Sequence, residues 1–83
     1  MKQVIKYYTD SCGPCKTYTP TFEQVASTTQ NIQFQSINAN SGNPLILEHG
    51  IRNVPTTVVI DEDGNVRKQT GIMSVEQLRH FIG

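Results

Sequence analysis

The sequence predicts an α/β domain with a minimal four-stranded mixed sheet and three helices, in the order β-α-β-α-β-β-α. Three observations predict it. Short β-branched or alternating runs are separated by segments of helical period. The turn Asp61-Glu62-Asp63-Gly64 joins two strand-like runs as a hairpin. A capping box, Ser74-Val75-Glu76-Gln77, opens a closing helix. Strands and helices alternating within 83 residues require a central sheet covered by helices, with right-handed crossovers.

The first strand is Val4-Ile5-Lys6-Tyr7-Tyr8, β-branched and aromatic, ending at the turn formers Thr9-Asp10-Ser11. Tyr18, Phe22, Val25 and Ala26 then fall on one helical stripe, so a helix is expected from Gly13 to Thr28, kinked by Pro20. Ile32 to Ile37 alternates as a half-buried strand before the loop Asn38-Ala39-Asn40-Ser41-Gly42. Asn43 caps a short helix over Leu45 to His49, with Pro44 at its first position and Gly50 as its stop. Thr56 to Ile60 and Asn65 to Gln69 are the strands of the hairpin. Val75, Leu78, Phe81 and Ile82 form the apolar side of the last helix.

A chain of this length with 36% hydrophobic content is expected to form one domain spanning residues 1–83. Such a domain buries only about 60% of its unfolded surface and needs compact architecture or a staple. Seven basic residues balance seven acidic ones, and the Lys and Arg form no stripe, which argues against direct nucleic-acid binding. No segment approaches the roughly 18 apolar residues of a membrane span, and Met1 to Lys6 lacks the apolar run of a secretory leader. The expectation is a cytoplasmic, monomeric protein without a membrane anchor.

Only two cysteines occur, Cys12 and Cys15, in the stretch Asp10-Ser11-Cys12-Gly13-Pro14-Cys15-Lys16. A lone C-x-x-C is compatible with a metal clamp, a structural staple or a reactive dithiol. Zinc lacks further ligands, because His49 and His80 stand at no finger-like spacing; no bound metal is expected. A structural disulfide is disfavoured by the tiny loop it would close and by a reducing compartment. Redox chemistry leads, because Cys12 sits where strand gives way to helix, facing unpaired N–H groups and the positive end of the dipole. The thiolate favoured there is the nucleophilic form. Bringing a thiol pKa from about 8.5 to about 7 takes roughly 2 kcal/mol, within reach of a helix end plus N–H···S contacts. Cys15, one turn further in, is placed to attack a mixed disulfide on Cys12, while Pro14 stiffens the approach without losing an N–H bond.

At these residues the sequence resembles the thioredoxin family. Cys12-Gly13-Pro14-Cys15-Lys16 is that family's active-site signature, between strand and helix as the family has it. Gly50-Ile51-Arg52-Asn53-Val54-Pro55-Thr56 resembles the stretch around the family's cis-proline. Asp63-Gly64, a strand and then Gly71 follow in the family's order. The resemblance covers nearly the whole chain. It implies a thioredoxin-like fold, catalytic Cys12 and Cys15, an active-site loop of Ser11, Gly13, Pro14 and Lys16, and substrate binding by Val54, Pro55, Thr56 and Gly71. Pro55 would be cis and face the sulfurs, and the Val54 backbone would meet an extended substrate segment.

Three departures qualify the resemblance. The chain starts at the strand that feeds the dithiol, without the family's usual opening strand and helix, which leaves a glutaredoxin-sized core. Ser11 stands where the family carries tryptophan. Lys6 stands where thioredoxins hold a buried acid behind the dithiol, and its expected behaviour is to snorkel to solvent, the alternative being a charge near the sulfurs that lowers their pKa. Tyr7, Tyr8 and Tyr18 are expected as packing or rim residues, and His80 and Asp10 as solvated. By resemblance the chain is a thiol-disulfide oxidoreductase reducing protein disulfides through a redox-active disulfide, with no bound cofactor. Thioredoxin reductase would recharge it, NADPH entering only through that enzyme. A glutathione-dependent, glutaredoxin-like reductase and a non-catalytic accessory subunit are the alternatives.

Overall fold

The structure, a computed structural model, describes residues 1–83. Seven elements follow in the expected order: β1 (Lys2–Tyr8), α1 (Gly13–Thr28), β2 (Ile32–Asn38), α2 (Pro44–Glu48), β3 (Thr56–Ile60), β4 (Val66–Thr70) and α3 (Val75–Ile82). The sheet order is β2-β1-β3-β4. β1 runs parallel to β2 and antiparallel to β3, and β3 runs antiparallel to β4.

The strand at the centre is the most buried. Val4, Ile5, Lys6 and Tyr7 are all buried, as expected for a strand covered on both faces. Alternation splits its side chains between two layers. Val4 joins Val59 of β3 with Tyr18, Phe22 and Val25 of α1 and Leu78 and Ile82 of α3. Ile5 and Tyr7 join Ile37 and Val58 on the other face, flanked by Leu45 and Ile46 of α2. The outer strand β4 is largely exposed and carries Arg67 and Lys68, charges that discourage pairing with a further chain.

Several boundaries differ from those expected. β1 begins at Lys2 and β2 ends at Asn38 because the parallel register pairs Lys2 with Ile32 and Tyr8 with Asn38. β4 lies one residue later than expected: the Asn65 carbonyl closes the turn by accepting from Asp61 N–H at 2.9 Å, and Thr70 pairs with Thr56. α2 begins at Pro44 and ends at Glu48, with Asn43 as N-cap and His49 as C-cap. Helix α1 spans the expected residues with Pro20 inside it.

Register brings the loops together. The C-terminal end of β1 lies beside that of its parallel neighbour β2, and Tyr7 pairs with Thr56 at the start of β3. Thr56 pairs with Thr70 at the end of β4. The segments after β1, after β2, before β3 and after β4 therefore share one end of the sheet. Loops at such an end carry function on a scaffold that holds them still.

Candidate active site

Cys12 is the N-cap of α1, with an extended backbone and Pro14 in the first turn. Its Sγ accepts the Cys15 backbone N–H at 3.1 Å, one of the orphan donors a helix start must place. Cys12 and Cys15 are joined by a disulfide, with Cα atoms 5.3 Å apart. The two sulfurs are not equivalent. Cys12 is half-buried, whereas Cys15 is 2% exposed. Cys12 is therefore the cysteine more open to the surface.

Ser11, Gly13, Pro14 and Lys16 are all exposed around Cys12. Across the sheet end, the Val54–Pro55 bond is cis, as the resemblance implied. Val54 is half-buried and Pro55 buried. The Thr56 side chain turns inward, and its hydroxyl donates to the Asn53 carbonyl at 2.6 Å, bracing the bend before β3. Gly71 adopts a φ of +101°, a region open to glycine, and its N–H donates to the Pro55 carbonyl at 2.8 Å. A groove of about 330 Å³ opens beside this bend, between Arg52, Asn53, Thr56 and Thr70. No three His, Cys, Asp or Glu side chains come together as a metal site, and no helix is long and apolar enough to cross a membrane.

Lys6 contradicts the expectation that it snorkels to solvent. It is 3% exposed, and its Nζ donates to Thr19 Oγ1 at 2.7 Å. The cause is its strand: Lys6 sits in the middle of β1 on the face that α1 covers, and its ammonium lies over the Tyr8 and Phe22 rings. Burial pushes its pKa below the ordinary lysine value, an effect partly offset by the negative charge of Glu23.

Three further polar contacts escape sequence reasoning. Thr19 Oγ1 donates to the Cys15 carbonyl at 2.9 Å. Only the four-residue spacing on one helix face hints at it. The Tyr18 and Thr57 hydroxyls bond to each other at 2.7 Å, and Tyr7 Oη bonds to His49 Nδ1 at 3.0 Å. Burial raises the pKa of both tyrosines; the charge of Glu48 adds to the rise at Tyr7, and the Thr57 contact opposes it at Tyr18.

Comparison with known proteins agrees with this geometry. The family model for thioredoxin matches residues 1–83. A thioredoxin of Mycoplasmoides gallisepticum is 28% identical over 81 residues, covering 98% of this chain and 81% of the relative. Chloroplastic thioredoxin F of Oryza sativa is 35% identical over 80 residues, which are 95% of this chain but only 42% of that longer protein. The solved structure of a single-site mutant thioredoxin from Halobacterium salinarum superposes with a TM-score of 0.87 at 27% identity, covering 98% of this chain and 71% of that one. With a cysteine pair at disulfide distance on this fold, the chain is a thiol-disulfide oxidoreductase. It belongs to the thioredoxin family.

Proposed function

We propose that the protein reduces disulfides of protein substrates, with Cys12 as nucleophile and Cys15 as resolving thiol. The observation that carries this assignment is the asymmetry of the pair: Cys12 is partly exposed at the helix N-cap and Cys15 is buried one turn on. In the reduced chain, the Cys12 thiolate attacks one substrate sulfur. The substrate S–S bond breaks, and its second sulfur leaves as a thiolate that takes a proton from solvent. Cys15, as thiolate, then attacks Cys12 Sγ, releases the first substrate sulfur and closes the Cys12–Cys15 bond. Two electrons have passed to the substrate.

Thioredoxin reductase returns those electrons from NADPH in the same reading. An extended substrate segment lies across the Val54 backbone, beside Pro55 and Gly71, while Thr56 keeps the bend in shape. Ser11, Gly13, Pro14 and Lys16 frame the attacking sulfur and make this rim polar. The protein acts as a monomer in the cytoplasm, where thiols are kept reduced.

The test is NADPH consumption with a protein disulfide as substrate, electrons being supplied through thioredoxin reductase or through glutathione and its reductase. Turnover with thioredoxin reductase, lost in Cys12→Ser, is the expected result. In Cys15→Ser the cycle should stop at a mixed disulfide that runs as a larger species on a non-reducing gel. Turnover with glutathione alone would assign a glutaredoxin-like role. Turnover with neither, together with partner-enzyme activity that survives Cys12→Ser/Cys15→Ser, would assign an accessory subunit.

A further inference from the structure

The buried Lys6 ammonium has no carboxylate within ion-pair distance; the molecule's two salt bridges, Lys2–Asp61 and Arg67–Asp61, lie elsewhere. Its hydrogen-bond acceptor is a neutral hydroxyl, Thr19 Oγ1 at 2.7 Å. An ammonium has three donors and no acceptor, so the single Thr19 hydrogen is free to point onward. It goes to the Cys15 carbonyl, 2.9 Å away. The positive charge is thus held within two hydrogen bonds of the backbone of the buried cysteine. Its other close neighbours are the Tyr8 and Phe22 rings. Thr57, its register partner on β3, is bonded to the Tyr18 hydroxyl. Glu23 is exposed on α1 and acts only at longer range.

We propose that Lys6 is a positioning residue of the dithiol, a buried cation coupled through Thr19 that favours the Cys15 thiolate and makes the Cys12–Cys15 disulfide easier to reduce. The proposal rests on the redox role given above. On reduction, two electrons from a donor dithiol break the Cys12–Cys15 bond, and each sulfur then carries either a proton or a negative charge. A fixed cation stabilises the anionic product and leaves the neutral disulfide unaffected, which shifts the couple toward the reduced form. The same cation orients the Thr19 hydroxyl and so steadies the turn that carries Cys15.

The experiment equilibrates the protein with glutathione redox buffers, reads the oxidised fraction by alkylation and gel shift, and follows the pH dependence of alkylation. Variants are Lys6→Met, Lys6→Arg and Thr19→Val, with folding checked by circular dichroism. In Lys6→Met the equilibrium constant for reduction should fall about three- to tenfold, the larger figure being about 30 mV. With Cys12→Ser added, so that Cys15 is the one thiol left to react, the alkylation profile should move to higher pH in parallel. Lys6→Arg should restore most of both, and Thr19→Val should shift both in the Lys6→Met direction by less. A folded Lys6→Met with the wild-type constant and profile would overturn the proposal. Should Lys6→Met not fold, an unchanged constant and profile in Thr19→Val would overturn it equally. Neither readout requires turnover with a reductase, so failure to turn over with any reductase would count against the reductase role and leave Lys6 judged on its own.

Discussion

Tyr18 and Thr57 are both fully buried, and their hydroxyls meet at 2.7 Å between α1 and β3. Removing one hydroxyl strands the other in a medium without water, at about 1–3 kcal/mol, whereas removing both leaves nothing unpaired. Tyr18→Phe and Thr57→Val should each lower stability by about that much, and the double variant should lose less than the two single losses added together. Urea unfolding of the four proteins checks it; strictly additive losses would show that the hydroxyls do not depend on one another. The same scale shows which chemistry is readable in advance. Cys12 and Cys15 are contiguous with the turn and helix start that position them, so local sequence carries their placement. The Lys6–Thr19 contact spans thirteen residues and exists only once α1 lies on β1. The general preference of lysine for solvent pointed the other way.

Helix α3 is closed at its start by a reciprocal pair of bonds. Ser74 Oγ accepts from the Gln77 N–H at 3.2 Å, and Gln77 Oε1 accepts from the Ser74 N–H at 2.9 Å. The helix has only eight residues, too few to be stable alone, and Leu78 and Ile82 anchor it to the layer shared with α1. Ser74→Ala should cost about 1 kcal/mol, seen as a fall of roughly 4–8 °C in the melting temperature. An unchanged melting curve would mean that packing alone holds the helix start. Elements with strong local signals are those whose limits the sequence states well: α1 from its apolar stripe, β3 from its β-branched run, α3 from its capping box. β4 slipped by one residue because its start is set by the Asp61–Asn65 turn bond and by pairing to Thr56 across the hairpin. Such contacts leave little mark on local composition.

At the scale of the whole molecule, the placement of β1 between β2 and β3 decides both where the loops meet and which ionisable groups are buried. Element order alone does not dictate that pairing, which rests on contacts between residues far apart in sequence. Its consequence is a two-sided dependence of stability on pH. Desolvation lowers the Lys6 pKa, partly offset by Glu23. Between that depressed value and the ordinary lysine value of about 10.4, the unfolded chain holds a proton that the folded chain has released, so stability rises with pH there. Tyr7 and Tyr18 act in the opposite sense. Desolvation raises both values, so above about pH 10 the unfolded chain loses protons that the folded chain retains, and stability falls. Their contribution is fully present below about pH 10. Urea midpoints of the disulfide form, in which the cysteines do not titrate, should therefore gain toward pH 10 and drop beyond it. Lys6→Met should flatten the rise, and Tyr18→Phe should soften the alkaline drop while costing stability at every pH through the stranded Thr57 hydroxyl. A wild-type midpoint that stays level across both limbs would place these three groups in contact with water, and the covered central strand would have to be redrawn.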